Sequence, residues 1–418
     1  MSTFIDKPKF SNVYRNLSWN FIGQFIGKSS LLLFHIFFAN LIGAASYGEF
    51  SFIFVGGLIL LQPVLDLGLN QIITKWVSRG NIEVVSLSFS IKSIISTFVI
   101  PLVLLVGWWF NINFFLLITI TGFFFFNTLQ QSLFGILRGI EDLRPESLIS
   151  AIQNLLAFSV LGIFILIDFS EPWIGSLILM ISRLSGTLIL SGVIWKKYYP
   201  ILKNKNSDNL VLNKSIIWRE SLSLGLVIFL IQFYFRIDTI MLGILSSNKE
   251  VGLYNMAFNL MEGTFFIPTI IMASIFPGLS KGNFFLSYFR KGAYLLTISG
   301  ILCGIITFFL ADFIINIFLA QEFLNSVGLL KILSFAIPLV FWGYLTTQSL
   351  IALDLSKFFL LVTAFGLSIN VILNFLLIPE KGASGAAIAT VITEAFIPLI
   401  CFIKIIKNHH SNNSDHVS

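Results

Sequence analysis

An all-α integral membrane protein of twelve transmembrane helices in two halves of six is the fold this sequence predicts, and three observations predict it. The 418 residues are 56% hydrophobic and 11% charged, with a mean hydropathy of +0.91, far from the roughly 25% charge of soluble domains. Twelve apolar runs approach the ~20 residues that cross a hydrocarbon core about 30 Å thick. Of the 26 Lys and Arg, Lys28, Lys92, Arg183, Arg236 and Lys331 are set aside as lying within the runs, only Lys249 and Lys381 lie in the loops of one side, and the remaining nineteen lie in the segments, run ends included, of the other. That asymmetry follows the positive-inside rule, so both termini are expected in the cytoplasm.

In chain order the runs cover 17–41, 49–70, 84–110, 112–137, 147–168 and 173–195, then 216–245, 251–277, 288–310, 328–352, 356–378 and 383–404. The stretch "LIGAASYGEF", Leu41–Phe50, joins the first two and reads as a short polar turn. "KKYYPILKNKNSDNLVLNK", Lys196–Lys214, is the longest polar interruption and divides the chain. The expected organisation is a first six-helix bundle over 1–195, a basic cytoplasmic linker over 196–214, a second bundle over 215–408 and a polar cytoplasmic tail over 409–418. Six helices return the chain to its starting side, so the halves have parallel topology, as in transporters with a two-fold axis along the membrane normal. The start "MSTFIDKPKFSNVYRN" lacks the pattern of a cleaved signal peptide, so the first run is expected to stay as an anchor. Pro63, Pro101, Pro268, Pro277, Pro338 and Pro398 lie within the runs and permit bends.

Polar residues recur inside the runs at helical spacing. The first carries Asn20, Gln24 and Lys28, with His35 two turns on; the second carries Gln62, Asp66 and Asn70. The sixth has Arg183 between Ser176 and Thr187; the seventh has Gln232 below Arg236 on one face and Tyr234 below Asp238 on another. Asn255, Asn259 and Glu262 follow in the eighth, Thr390 and Glu394 in the twelfth. Arg236 and Asp238, two positions apart, point about 200° apart on a helix and therefore each need a separate partner.

A neutral polar group in a span gains about 0.6 kcal/mol from an interhelical hydrogen bond, but a charge costs roughly 2.5–3.5 kcal/mol and faces a watery cavity or a partner. Lys92 and Lys331 lie near run ends, from where a lysine can snorkel to the interface. Lys28, Arg183 and Arg236 sit deeper. Both residue types bind phosphate, arginine bidentately, so a cavity holding these three suits an anionic ligand better than a cationic drug. Asp66, Asp238, Glu262 and Glu394 are the candidates for charge balance or ion coupling. His35 has no companion at metal-ligand spacing and there is no phosphate-binding loop, so neither a metal, a cofactor nor ATP use is expected. The net charge of +6 is explained by topology and does not imply nucleic acid.

Three segments carry a resemblance. "NLIGAASYGEFSFIFVGGLILLQPVLDLGLNQIITKWVSRG" (Asn40–Gly80), "RIDTIMLGILSSNKEVGLYNMAFNLMEGTFFIPTIIMASIFPGLSK" (Arg236–Lys281) and "NVILNFLLIPEKGASGAAIATVITE" (Asn370–Glu394) resemble, in order, regions of polysaccharide flippases in the multidrug/oligosaccharidyl-lipid/polysaccharide exporter superfamily. The resemblance implies two bundles forming a V around a central cavity lined by helices one, two, seven and eight. It implies a flippase, not an enzyme, in the cell inner membrane, translocating an undecaprenyl-diphosphate-linked oligosaccharide of an O-antigen, capsule or other exopolysaccharide. Lys28, Arg183 and Arg236 would then meet the diphosphate, and Asn20, Gln24, Gln62, Gln232, Asn255 and Asn259 the sugars. Membrane lipids, a coupling ion (H+ or another) and a polysaccharide polymerase are the implied partners. Two alternatives stand beside it. A cation-coupled multidrug exporter of the same superfamily is disfavoured by Lys28, where such exporters carry a carboxylate on helix one. A non-transporting component of a polysaccharide assembly complex would leave the deep charges dispensable.

Overall fold

The computed structural model describes residues 10–200, 214–280 and 284–414, with side chains except those of 10–21, 214, 216 and 409–414. Every regular element among them is helical. In chain order these are α1 Phe10–Gly56, α2 Gln62–Asp66, α3 Leu69–Ser78, α4 Glu83–Trp109, α5 Phe114–Gly139, α6 Arg144–Leu166 and α7 Pro172–Val193. There follow α8 Lys214–Leu245, α9 Asn248–Glu262, α10 Phe266–Leu279, α11 Phe285–Phe318, α12 Ser326–Ser334, α13 Ala336–Ala352, α14 Ser356–Lys381 and α15 Ala383–Ser414.

Among the described residues ten helices are long and apolar enough to cross a membrane, and α12 with α13, bent by 42°, make an eleventh. The first of them, Ile22–Asp66, has 45 residues, about 68 Å at 1.5 Å per residue and twice the thickness of a bilayer core. It is two spans. Gly43 breaks it with φ 79° and ψ 167°, a conformation open to glycine alone, and division there gives the twelve segments the sequence predicts. The polar turn expected over Leu41–Phe50 is corrected: apart from Gly43 the stretch stays helical, because its Ala, Ser, Tyr and Glu residues do not break a helix. The helix restarts at Ala44, whose N–H donates to Glu322 Oε2 at 2.8 Å. α11 also outruns expectation, continuing past 310 through Phe318, since "ADFIINIF" contains no glycine or proline.

Two compact units divide the chain: Met1–Phe34 with Gly56–Phe229, and His35–Val55 with Leu230–Ser418. Both α1 and α8 therefore pass from one unit to the other. The expected linker falls largely on 201–213, and the tail partly on 415–418, outside the described residues.

In the first unit α5 packs on α7 and α3. Sixteen of its 26 residues are buried, as befits a helix at the centre of a bundle. At one end of the unit Ile73, Leu133, Phe134, Leu137, Leu190 and Ile217 form a buried cluster drawn from α3, α5, α7 and α8. Trp108, Trp109 and Phe110, at the far end of α4, are at least 69% exposed, as aromatic residues at a membrane interface are.

In the second unit α15 packs on α14 and α13, and α13 on α11. Here the parts of α1 that flank Gly43 join α9 at a close crossing: a Cβ on Gly252 would stand 2.1 Å from Ala44 O, so only a bare backbone fits. Asn40 ties the same segment to the end of α11, donating to Phe318 O at 2.7 Å and accepting from Ala320 N at 2.9 Å. The carboxylate device at Gly43 recurs at Gly382, where Glu250 Oε2 accepts from Ala383 N at 2.7 Å.

Candidate functional site

Each unit holds its own polar clusters. In the first unit Leu67 (φ 45°) and Gly68 (φ 75°) break the helix, ending α2 at Asp66 and letting α3 begin before Asn70. Asp66 Oδ1 accepts from Asn70 N across the break at 3.3 Å. Lys92 of α4 fills the space between them. Its Nζ lies 2.8 Å from Asp66 Oδ1, 2.8 Å from Asn70 Oδ1, 2.7 Å from Ser132 Oγ and 3.2 Å from Thr128 Oγ1. The expected snorkelling of Lys92 is thus corrected: its side chain is 1% exposed, because a carboxylate and three polar side chains replace the water it would otherwise seek.

The second cluster of this unit centres on Arg183 of α7. Its Nη2 donates to Asn154 Oδ1 at 3.2 Å and its Nη1 to Gln153 Oε1 at 3.4 Å, while the guanidinium carbon stands 5.6 Å from the Phe123 ring centre. Both acceptors are neutral amides. Gln153 is held by Gln130 Nε2 at 2.8 Å and by its own bond to Ser182 O at 2.5 Å. Asn154 Nδ2 donates to Gly27 O at 3.0 Å, one residue before Lys28, which brings α1 against the same amide that holds Arg183. Lys28 and Gln24 are exposed on α1. Among the described residues neither Lys28 nor Arg183 meets a carboxylate, and Arg183 Nε and Gln130 Oε1 are buried without a hydrogen-bond partner. Gln62 accepts from Asn127 Nδ2 at 3.0 Å. The side chain of Asn20 lies outside the described residues.

In the second unit α8 presents two polar faces, as the 200° separation requires. On one, Arg236 Nη2 lies 2.6 Å from Glu262 Oε2 and the guanidinium 4.9 Å from the Phe258 ring centre. On the other, Asp238, 3% exposed, accepts from Tyr254 at 2.8 Å, from Thr390 at 2.9 Å and from Asn374 Nδ2. One turn away Tyr234 donates to Glu394 Oε1 at 2.7 Å. The Tyr234/Asp238 face of α8 is therefore matched, at the same four-residue spacing, to the Thr390/Glu394 face of α15. Asp238, Glu394, Asn370 and Tyr234 line a small cavity with Phe258 and Val340, and Asn374 Oδ1 is buried without a partner among the described residues. No cation meets Asp238 or Glu394 among the described residues.

The remaining sequence candidates are spread over the same unit. Asn255 Oδ1 accepts from Thr239 at 3.1 Å, and Asn259 Nδ2 donates at 3.1 Å to the Tyr47 hydroxyl, itself 3.2 Å from His35 Nδ1. Gln232 is half-buried. Sequence reasoning missed Gln153, Asn154, Asn370, Asn374 and Tyr254. A usable signal existed for Asn370 and Asn374, whose four-residue spacing inside an apolar run stacks them on one helix face.

Residues 13–283 match a family model described as polysaccharide biosynthesis protein. An uncharacterized membrane protein of Methanocaldococcus jannaschii is 24% identical, over 65% of this chain and 67% of that protein. A probable flippase, AglR, of Haloferax volcanii is 28% identical over 38% of this chain and 35% of its own. An inward-facing multidrug resistance transporter of the MATE family, in the MOP superfamily, superposes with a TM-score of 0.75 at 14% identity, covering 93% of this chain and 96% of that one. At that identity the likeness shows the fold. The apolar helices and these membrane relatives make the chain a multi-pass integral membrane protein.

Proposed function

The chain belongs to the polysaccharide biosynthesis protein family, and from that premise we propose that it is a flippase carrying a polyprenyl-diphosphate-linked oligosaccharide across the cytoplasmic membrane by alternating access. Both termini are cytoplasmic in this reading, and the glycan serves an O-antigen, capsule or other exopolysaccharide. One observation supports it above the rest. Of the five cations singled out above, Lys92, Arg236 and Lys331 are paired with Asp66, Glu262 and Asp312, whereas Lys28 and Arg183 meet no carboxylate among the described residues. A guanidinium held only by neutral amides keeps its charge for a ligand, and it binds phosphate oxygens bidentately. Arg236, already neutralised by Glu262, leaves Lys28 and Arg183 as the diphosphate-binding pair. Gln24, Gln62, Gln232, Asn255 and Asn259 are the amides proposed to meet sugar hydroxyls. Asp238 and Glu394, buried and meeting no cation among the described residues, are proposed to take up the coupling ion, a proton or another monovalent cation.

The same two carboxylates favour one second reading, export of a cationic drug. Reconstituted wild-type protein separates the two. Transfer between leaflets of a fluorescent polyprenyl-diphosphate oligosaccharide, with no transport of a lipophilic cationic dye, is expected. Dye transport without lipid transfer, repeated with several glycans, would overturn the proposal.

A further inference from the structure

In the second unit, α12 and α13 turn away from each other by 42° at Phe335. Gly304 of α11 faces this bend; a Cβ there would stand 3.0 Å from Ser334 O and 3.4 Å from the Pro338 ring. Around this contact lies a cleft of about 680 Å³, its open side included, walled by Ile301, Ile305, Phe308, Phe335 and Pro338. Ile305 is 49% and Phe335 61% exposed, so the cleft opens sideways from two spans. Inside a bilayer such a wall is covered by hydrocarbon.

The cleft is not apolar throughout its surroundings. One turn beyond Phe308 on α11, Asp312 Oδ2 lies 2.6 Å from Lys331 Nζ of α12, and that ammonium stands 5.7 Å from the Phe308 ring centre. The pair is accessible, 33% for Lys331 and 57% for Asp312. A lip that offers an ammonium and a more exposed carboxylate side by side matches a headgroup carrying phosphate and amine side by side. A purely anionic headgroup, including a polyprenyl diphosphate, would be repelled by Asp312.

We infer that this cleft is a binding site for a zwitterionic, amine-bearing phospholipid: its phosphate meets Lys331, its ammonium Asp312, and one acyl chain lies along Ile301, Ile305 and Phe335. With the topology proposed above, the lipid belongs to the outer leaflet. The site is separate from the diphosphate-binding residues, so it stands or falls independently of the transported substrate.

The test is native mass spectrometry of the full chain released from nanodiscs containing equal phosphatidylethanolamine and phosphatidylglycerol. Wild type is expected to retain phosphatidylethanolamine over phosphatidylglycerol by about fivefold, the equivalent of ~1 kcal/mol for a partly exposed ion pair. Asp312→Asn, which keeps the cation and removes the amine's partner, is expected to reverse the preference. Ile305→Trp, which fills the cleft from its exposed side, is expected to lose both lipids while eluting as the same monodisperse species. Equal retention of the two lipids by wild type, or an unchanged preference in Asp312→Asn, would mean annular lipid only and would overturn the inference.

Discussion

Arg183 Nη2 donates to Asn154 Oδ1 at 3.2 Å, a neutral amide in the place where Arg236 of the other unit has the carboxylate of Glu262 at 2.6 Å. The two arginines lie ten and nine residues from one end of their apolar runs, yet among the described residues only Arg236 meets a carboxylate. In the function proposed above, this difference separates a residue that ties helices together from one that keeps charge for a ligand.

Arg183→Gln should therefore cost function more than stability. Loss of amide contacts inside a membrane bundle costs within about 1 kcal/mol, so thermal unfolding in detergent should move little. Loss of a charge-assisted bond to substrate, at about 1.5–3 kcal/mol, should slow lipid transfer roughly ten- to a hundredfold. Arg183→Lys should recover part of the rate. A variant that unfolds readily would instead mark Arg183 as helix glue.

Lys92→Met should behave in the opposite way. Removing the ammonium leaves Asp66 buried and unpaired, a loss of about 3–5 kcal/mol, visible as poor yield and a lowered Tm. Adding Asp66→Leu should restore most of that, since a buried pair is replaceable by apolar side chains. If the single variant is as stable as wild type, the network across the α2–α3 break is not holding the first unit together.

Part of this was legible in the sequence. Tyr234/Asp238 and Thr390/Glu394 are both polar pairs at four-residue spacing in apolar runs, and the structure places one against the other. The divergence of Arg236 and Asp238 follows from helix geometry alone. Lys92 was illegible for a physical reason: a lysine near a run end has the same spacing whether its stem reaches outward or inward, and the inward choice depends on the left-handed residues at Leu67 and Gly68 that assemble its partners. Gly43 shows the converse limit. Its neighbours are polar enough to read as a loop, but polarity does not break a helix and a single positive φ does.

Asp238→Asn keeps the shape of the side chain and removes the charge proposed to take up the coupling ion. Transfer driven by an imposed proton or sodium gradient should fall to the rate seen without a gradient, while exchange at equilibrium persists. Gradient stimulation that survives the substitution would remove Asp238 from the coupling site.

Outside the spans, Asp142 gives a pH prediction. Burial pushes its carboxyl upward, but the Tyr198 hydroxyl at 2.6 Å, the Arg144 N–H, and the charges of Lys197 and Arg144 outweigh burial and hold it below its ordinary 3.8. A carboxylate depressed by folding stabilises above its unfolded value and loses that contribution as pH falls through the folded one. Asp142→Asn should lower stability at pH 7 by less than about 1 kcal/mol, the cations that face it, Arg144 and Lys197, being well exposed to solvent. The gap between variant and wild type should close below pH 3.8. A gap that is the same at both pH values would mean that the charge of Asp142 contributes nothing.

The central claim is that Lys28 and Arg183, and not Arg236, receive the substrate's diphosphate. The most direct measurement is leaflet transfer of a polyprenyl-diphosphate oligosaccharide in proteoliposomes, comparing wild type, the Lys28→Gln/Arg183→Gln double variant and the Arg236→Met/Glu262→Leu double variant at matched protein levels. The account predicts that the first double variant loses transfer by at least about a hundredfold, two charge-assisted bonds having been removed, while the second stays within about tenfold of wild type. Transfer that survives the loss of Lys28 and Arg183 but fails with Arg236 and Glu262 would contradict it.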